Sequence, residues 1–295
     1  MQNFSITDVI EEMPLISILD VGAMKDDPNR YQTLLDRGLA TVVGFEPRLD
    51  ALAKLEGGEN EFYLPHAVGS GSQEIFYECR HGGCSSIYKP SPPHIDSFTS
   101  IGTSEGANFE IVGEAPITTV RLDEIEQLTE ADYLYIDVQG AELDVLKGAE
   151  KMLGDVAVID LEVEFVPLYE NQPLFADVDR FMRAHGFLIH KLIDVSGRPF
   201  KPFLLNDNPA EAISQLLWAD AVYVPNFTRF AETAPQRLLK TAIILHEVYD
   251  SYDLAALALA AREEMTGDGV YGDYLKSLKK NQPLVHSFMN VRNRV

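Results

Sequence analysis

The chain has 295 residues, of which 46% are hydrophobic, so it is long enough for one large domain or for one domain with an appendage. Its formal net charge of -22 repels phosphate backbones and makes a nucleic-acid partner unfavourable. The sequence has no apolar run of membrane-spanning length, no N-terminal signal pattern and only two cysteines, so we expect a cytoplasmic protein without a membrane partner or a disulfide framework.

The N-terminal part alternates apolar runs with short amphipathic stretches. The apolar runs at 15–21, 41–46 and 61–68 predict strands, and the stretches at 29–38 and 49–58 predict helices that end at glycines. Strands that alternate with short helices are typical of a parallel, doubly wound sheet. We therefore predict an α/β fold.

The middle of the chain is less regular. Residues 72–77 predict an extra strand, which could be one half of a hairpin. Residues 79–116 show no clear periodicity and contain several glycines and the Ser-Pro-Pro of 91–93. A long irregular stretch inside a compact domain is usually functional or disordered. We interpret it as a lid-like insertion that faces the substrate, and a disordered insertion is the alternative.

The second half returns to a regular pattern. The segment ADYLYIDVQGAELDVLKGAEKML, residues 131–153, predicts a buried strand, a Gln-Gly turn and a helix. Further strands are predicted at 156–164, 187–195 and 216–224, with a helix at 174–185. From Pro235 onward the pattern becomes helical, with helices predicted at 236–249 and 253–265. We predict a domain over 1–229 and a C-terminal helical hairpin within 230–295.

Acidic residues stand at the ends of three predicted strands, namely Asp20, Glu46 and Asp137. The carboxyl edge of an open α/β sheet is where such folds bind ligands, and a strand-end acid there can bind ribose hydroxyls. Gly22 allows close approach of the backbone to a ligand. These features suit any cofactor that contains a nucleoside.

The loop after the first strand distinguishes between these cofactors. Its sequence, VGAMKDDPNR, lacks the second and third glycines of the G-x-G-x-x-G pattern that binds a pyrophosphate. Asp26 and Asp27 would repel a diphosphate at this position. S-adenosylmethionine carries no phosphate and its sulfonium is cationic, so acids at the strand ends favour it. A nucleotide-binding oxidoreductase is the alternative.

Six motifs together resemble the FkbM-type methyltransferase family. They are ILDVGA, VVGFEP, HAVG, GCSS, TTVRLDEI and YIDVQGAELDVLKGAEKML, and their order and spacing cover about residues 15 to 190. The resemblance implies a Rossmann-like class I methyltransferase fold that uses S-adenosylmethionine. It also implies O-methylation, most often of sugar or polyketide hydroxyls.

The resemblance assigns roles to matching positions. Asp20, Gly22 and Ala23 would contact the amino-acid end of the cofactor, and Glu46 with Pro47 would bind the ribose. His66 and Ala67 would border the adenine. Asp137 would face the methionine part or the acceptor. Ser86 could bind cofactor or acceptor, or merely cap a turn. The sequence departs from the family pattern in two places. Where the family commonly reads D-V-G-A-N-x-G, this loop has Met24 and Lys25 and no second glycine. The acid that usually follows Asp137 in the D-V-E-G pattern is Gln139 here.

Methyl transfer to a hydroxyl needs a base within hydrogen-bond reach of that hydroxyl. Asp137 is the first candidate because its strand adjoins the predicted cofactor cleft. Its alternative role is to orient the cofactor or cap the following turn. His81 and His94, in the predicted lid, are further candidates because imidazole is the commonest such base. His246 is expected to pack within the helical hairpin.

Two metal hypotheses arise from the sequence, and we favour neither. Cys79, His81 and Cys84 could ligate zinc, but a structural zinc site needs a fourth ligand and none is evident. Asp137, Glu162 and Glu164 end neighbouring strands and could hold a divalent cation, although a solvated acidic edge explains them equally well.

The sequence therefore predicts an S-adenosylmethionine-dependent O-methyltransferase whose acceptor is a small polar molecule, such as a sugar or a glycosylated metabolite. A non-catalytic binding module of the same fold is a further alternative, because Met24, Lys25 and Gln139 depart from the family pattern. The C-terminal helices could mediate homo-oligomerisation.

Overall fold

The computed structural model describes residues 4–24, 29–55 and 57–281, and their contacts divide them into two compact units. One unit combines the described parts of 1–15, 29–39 and 227–295, and the other those of 16–28 and 40–226. The helical extension predicted from residue 230 did not include the two N-terminal segments of the first unit. Lys25, Asp26 and Asp27, on which the pyrophosphate argument partly rests, lie outside the described residues.

A seven-stranded sheet forms the centre of the second unit. Its strands, in spatial order, are β3 (Glu61–Leu64), β2 (Ala40–Phe45), β1 (Ile16–Val21), β6 (Tyr133–Ile136), β7 (Val158–Glu164), β9 (Leu216–Pro225) and β8 (Phe187–Gly197). The first five are parallel, whereas β9 is antiparallel to both β7 and β8. The predicted mostly parallel, Rossmann-like α/β sheet is confirmed.

The inner strands form as they do because their residues are apolar on both faces. Ile18 and Leu19 of β1, Leu134 of β6 and Ile159 of β7 are all fully buried. Continuous apolar runs are typical of parallel strands covered on both sides. The register places Asp20 opposite Gly44 of β2 and opposite Tyr135 of β6, so β1, β2 and β6 end at the same edge.

A separate two-stranded sheet pairs β4 (Gln73–Cys79) with β5 (Ile111–Thr118) in antiparallel register. Strand β4 corresponds to the strand predicted at 72–77. Its partner β5 begins near the end of the stretch 79–116, which the sequence predicted to be irregular. That expectation was wrong for 111–116, where Gly113 and Pro116 obscure the alternation of a strand. Short helical turns at Gly82–Cys84 and Pro92–Ile95 order part of the remainder.

The α-helices in the described part of the chain are α1 (Gln32–Asp36), α2 (Leu49–Leu52), α3 (Pro92–Ile95), α4 (Glu142–Gly148), α5 (Phe175–Ala184), α6 (Pro235–Glu247), α7 (Tyr252–Thr266) and α8 (Val270–Asn281). Helix α2 ends at Leu52 and is therefore much shorter than the predicted 49–58. None of the helices in the described ranges has the length and apolar character needed to cross a membrane.

Helices α6 and α7 correspond to the two helices of the predicted hairpin, and a third helix, α8, which the sequence did not predict, follows them. Helix α8 buries Tyr274 and Leu278, which lie four positions apart on one face. Gly269 and Gly272 near its start lower its helix propensity, which is why the pattern was missed.

His246 packs inside this unit, as expected from the sequence. Its Nε2 lies 3.0 Å from the backbone oxygen of Phe4, and its Nδ1 lies 2.9 Å from the hydroxyl of Tyr274. Because a carbonyl oxygen only accepts, Nε2 carries the hydrogen and Nδ1 accepts one from Tyr274. Burial lowers the pKa of His246, which favours this neutral form.

A matched pair of leucines tests the central sheet. Leu134 of β6 is fully buried, whereas Leu49 at the start of α2 is 72% exposed. Leu134→Ala should lower the free energy of unfolding by about 2–5 kcal/mol, because it leaves a cavity in the core. Leu49→Ala should change it by less than about 0.5 kcal/mol. Urea denaturation measures both, and equal losses would contradict the assignment of the core.

Candidate functional site

A cleft of about 860 Å³, counting the space open to solvent, lies at the carboxyl ends of β1, β2 and β6. Its apolar lining includes Phe45, Val68 and Ile117, and its charged lining includes Glu46 and Asp137. Residues from β4 and from the segment after it, such as Phe76 and Ser86, complete the lining. The segment predicted as a lid therefore contributes to the cleft, which we call the strand-end cleft.

The tightest backbone approach in this region joins the ends of β1 and β6. The N–H of Asp137 donates to the oxygen of Val21 at 2.9 Å. Gly22 has a φ of +94°, and a Cβ at this position would lie 1.9 Å from the backbone oxygen of Asp137. Only glycine fits here, because any side chain would be strained in φ and would overlap that oxygen.

Glu46 is positioned by the residues that follow β2. It is 5% exposed, and its Oε1 accepts hydrogen bonds from the backbone N–H of Arg48 at 2.7 Å and from Arg48 Nε at 3.4 Å. Its Oε2 accepts no hydrogen bond from the described residues. A carboxylate with one oxygen anchored and the other available can bind the hydroxyls of a ribose.

Most of the predicted cofactor-binding residues line this cleft, namely Gly22, Glu46, Pro47, His66, Ala67, Ser86 and Asp137. Asp20 and Ala23 do not line it. Asp20 is 2% exposed within β1, and the N–H of Ala23 donates to the oxygen of Phe45 at 3.1 Å. These two residues shape the end of β1 rather than the surface of the cleft.

Ser86 connects the segment after β4 to the turn that follows β6. Its hydroxyl donates to the backbone oxygen of Gln139 at 2.7 Å and accepts from the N–H of Tyr88 at 3.0 Å. The sequence left open whether Ser86 binds a ligand or caps a turn. Both hydrogen bonds of its hydroxyl hold the backbone of neighbouring segments.

Gln139 lies between two carboxylates. Its Nε2 donates to Asp137 Oδ1 at 2.6 Å and to Glu162 Oε2 at 3.1 Å. Its Oε1 lies 3.4 Å from the Tyr169 hydroxyl, which makes a shorter hydrogen bond of 3.0 Å to the backbone oxygen of Cys84. Gln139 and Gly140 both have positive φ, which turns the chain sharply between β6 and α4. The amide thus donates to both carboxyl groups at the position where a third acid could not.

Three carboxyl groups near Gln139 resist ionisation. Burial raises the pKa of Glu142 and of Glu162 well above the usual value, and neighbouring carboxylates raise both further. Burial also raises the pKa of Glu164 to about 7, with the charge of Asp137 contributing. Glu142 nevertheless accepts backbone N–H bonds from Val138 and Gly140, both at 3.1 Å.

Among the residues that the structure describes, Asp137, Glu142 and Glu162 each place a carboxylate oxygen within 4.8 Å of the others, whereas the set suggested by the sequence contained Glu164 in place of Glu142. Glu142 was missed because it lies in the first turn of α4, where an acid is expected simply for helix capping. The amide of Gln139 already bridges two members of this cluster.

A second cavity of about 720 Å³ adjoins the strand-end cleft, and we call it the inner cavity. Gly83 and Gln139 line both spaces. The other residues that line the inner cavity are His81, Cys84, Ile101, Asn108, Phe109, Glu162, Glu164, Leu168, Tyr169, Arg198 and Trp218. Sequence reasoning did not identify Tyr169, Arg198 or Trp218, because no local motif relates residues so distant in the chain.

The two candidate histidines lie apart. His81 lines the inner cavity, with Nδ1 3.9 Å from the Sγ of Cys84. His94 is exposed in α3, where its Nδ1 is 2.8 Å from the hydroxyl of Ser91, and it lines neither space.

Burial raises the pKa of the Cys79 thiol to about 11 and that of Cys84 to about 12, which disfavours the thiolates that zinc requires.

A family model described as the methyltransferase FkbM domain matches residues 20–189. A comparison with curated proteins finds no match. Two similar solved structures are magnesium protoporphyrin IX methyltransferase from Synechocystis PCC 6803 with bound S-adenosylmethionine, and precorrin-6y C5,15-methyltransferase from Geobacter metallireducens GS-15. The first is 10% identical over 75% of this chain and 76% of its own, with a TM-score of 0.34. The second is 9% identical over 74% and 85%, with a TM-score of 0.36.

Two glycines with positive φ test the close approach at Gly22. Gly106 has a φ of +83° and open space where a Cβ would lie, whereas Gly22 has the oxygen of Asp137 there. Gly106→Ala should lower the free energy of unfolding by about 1–2 kcal/mol through backbone strain alone. Gly22→Ala should cost about 1–3 kcal/mol more because of the overlap. Thermal denaturation of both variants would show equal losses if this contact were absent.

The raised pKa of Glu164 predicts how stability depends on pH. The folded protein holds the Glu164 proton up to about pH 7, whereas the unfolded chain releases it near its ordinary value of 4.5. The free energy of unfolding should therefore fall as the pH rises from about 4.5 to about 7. Glu164→Gln should flatten this fall, and Glu170→Gln, at an exposed site, should not. Urea titrations at several pH values measure the slope, and an unchanged slope in Glu164→Gln would refute the assignment.

Proposed function

Because this chain belongs to the FkbM methyltransferase domain family, we propose that it uses S-adenosylmethionine to methylate a hydroxyl of a small polar, sugar-like acceptor. The observation that carries the proposal is the strand-end cleft, in which Glu46 and Asp137 present carboxyl groups at the ends of β2 and β6, while Arg48, which also lines it, is paired with Glu46. Such a cleft favours a ligand that is cationic and carries no phosphate.

The residues of the cleft fit the parts of that cofactor. The available Oε2 of Glu46 would accept from the ribose hydroxyls, and His66, Ala67 and Pro47 would border the adenine. Asp137 would attract the positively charged methionine end. When bound, S-adenosylmethionine supplies a methyl group activated by its sulfonium. The residues of this chain would hold it and keep water from it, and Phe45, Val68 and Ile117 provide an apolar wall.

A hydroxyl acceptor is supported by the carboxyl groups beside the cleft. A hydroxyl becomes a good nucleophile only as its proton is removed, and a base with a raised pKa accepts that proton more strongly than an ordinary carboxylate. Glu162 meets this condition and shares the amide of Gln139 with Asp137. The two concave spaces support a small-molecule partner. Cytoplasmic location and homo-oligomerisation through the C-terminal helices stay predictions.

The ribose role of Glu46 can be tested by calorimetry with S-adenosylhomocysteine. Glu46→Ala should weaken binding by about 1–3 kcal/mol, because it removes a charged hydrogen-bond partner. Glu59→Ala changes a glutamate at an exposed site and should leave the affinity unchanged. Equal affinities for Glu46→Ala and the unaltered protein would refute the ribose assignment. Tight binding of NADH with no response to S-adenosylhomocysteine would instead favour an oxidoreductase.

A further inference from the structure

We propose that the inner cavity is the acceptor-binding site, that it takes a neutral polyhydroxylated molecule, and that Glu162 is the catalytic base which receives the proton of the reacting hydroxyl. This inference rests on the proposed function, because it assigns the second substrate and the proton acceptor of the same reaction.

The position of the inner cavity supports this role. It meets the strand-end cleft at Gly83 and Gln139, which line both spaces. On one side of Gln139 lies Asp137, which lines the cleft, and on the other lies Glu162, which lines the inner cavity. A group transfer between two molecules requires two adjoining compartments whose contents meet at a shared boundary.

The lining of the inner cavity defines the class of acceptor. Glu162, Glu164 and Asn108 supply oxygens that can accept hydrogen bonds, and Arg198 supplies donors. A hydroxyl both donates and accepts, whereas an ammonium only donates and a carboxylate only accepts. A lining that mixes both kinds of group therefore suits a molecule with several hydroxyls better than a purely cationic or purely anionic one.

Two further features of the lining point to a ligand. The Nε of Arg198 is buried and has no hydrogen-bond partner among the described residues, and an unsatisfied buried donor is costly unless a ligand or water meets it. The guanidinium of Arg198 also lies 4.8 Å from the ring centre of Trp218, so the two side chains form one wall. An aromatic and guanidinium wall offers both an apolar surface and donors to a polyhydroxylated ring.

Glu162 is the carboxylate best placed to act on a molecule in this cavity. Its Oε2 lies 3.1 Å from Gln139 Nε2, at the boundary between the two spaces, and β7 holds its backbone in the sheet. In the reaction the acceptor oxygen forms a bond to the methyl carbon, the carbon–sulfur bond breaks with its electron pair left on sulfur, and the hydroxyl proton passes to Glu162. Burial and nearby acids raise the pKa of Glu162, so its carboxylate form, which becomes populated as the pH rises, accepts a proton more strongly than an ordinary carboxylate.

The single tryptophan of the chain makes this site observable without turnover. Trp218 lines the inner cavity, and the sequence contains no other tryptophan, so the tryptophan fluorescence of the protein reports on that space. The full-length protein is saturated with S-adenosylhomocysteine and titrated with neutral methyl glycosides. Amino-sugar glycosides and uronic-acid glycosides of matching ring structure serve as the cationic and anionic comparisons. We expect a saturable change with neutral glycosides, and weaker binding of the charged ones.

Three variants separate binding from proton transfer. Arg198→Lys should weaken glycoside binding by roughly tenfold, because it loses the guanidinium donor beside Trp218. Glu162→Gln should keep glycoside binding within a few-fold and abolish the rise of kcat/KM with pH for the glycoside that binds, since the carboxylate form alone accepts the proton. Glu170→Gln, which is exposed and lines neither space, is the matched control. Circular dichroism melting confirms that each variant is folded.

The outcomes distinguish this inference from the proposed function. If S-adenosylhomocysteine binds but no neutral glycoside gives a saturable Trp218 signal, the acceptor site is refuted while the cofactor assignment stands. Preferred binding of the charged glycosides would overturn the acceptor class. A retained pH rise in Glu162→Gln together with its loss in Asp137→Asn would transfer the role of base to Asp137. Failure of S-adenosylhomocysteine to bind at all would refute the proposed function itself.

Discussion

The cost of placing several carboxyl groups at one buried sheet edge governs the structure around the site. Asp137, Glu142 and Glu162 lie within 4.8 Å of one another, where little water remains to stabilise their charges. The protein meets this cost in two ways, by retaining protons and by directing N–H groups at the oxygens. Burial raises the pKa of Glu142 and Glu162, while backbone N–H groups of the turn bind Glu142. The turn between β6 and α4 can adopt this geometry because Gln139 and Gly140 both accept positive φ.

The same turn separates two spaces that a transfer reaction must keep distinct and yet adjoining. The strand-end cleft is bounded by the ends of parallel strands, and its position follows from the fold. The inner cavity draws on Glu162 and Glu164 of β7, on Trp218 of β9, on Arg198 directly after β8 and on loop residues such as Phe109 and Tyr169. The space that we propose for the cofactor thus lies at the ends of β1, β2 and β6, whereas the space that we propose for the acceptor also needs residues of β7, β9 and the loops.

Local patterns predicted the parallel sheet and its acidic edge because both depend on short-range features. A buried strand that ends in an acid is visible in the sequence, and parallel strands bring such ends together. The inner cavity was not predictable in this way, since Arg198 and Trp218 meet residues far away in the chain. Strand β5 and helix α8 were missed for a different reason. Their glycines and Pro116 weaken the periodicity on which such predictions rest, although the spacing of Tyr274 and Leu278 was a usable signal for α8.

The residue at position 139 illustrates how one departure from a family pattern can be understood from its surroundings. The Nε2 of Gln139 lies within hydrogen-bond distance of Asp137 and Glu162 together. An acid at this position would replace the donor by another negative charge, and the three groups would need a cation or shared protons to remain together. With glutamine, the neutral amide brings the two acids together without an added ion. The substitution therefore does not by itself argue for a loss of function. It changes how the negative charge at the boundary of the two spaces is balanced, and it leaves Glu162 beside the inner cavity as a group that can take up a proton.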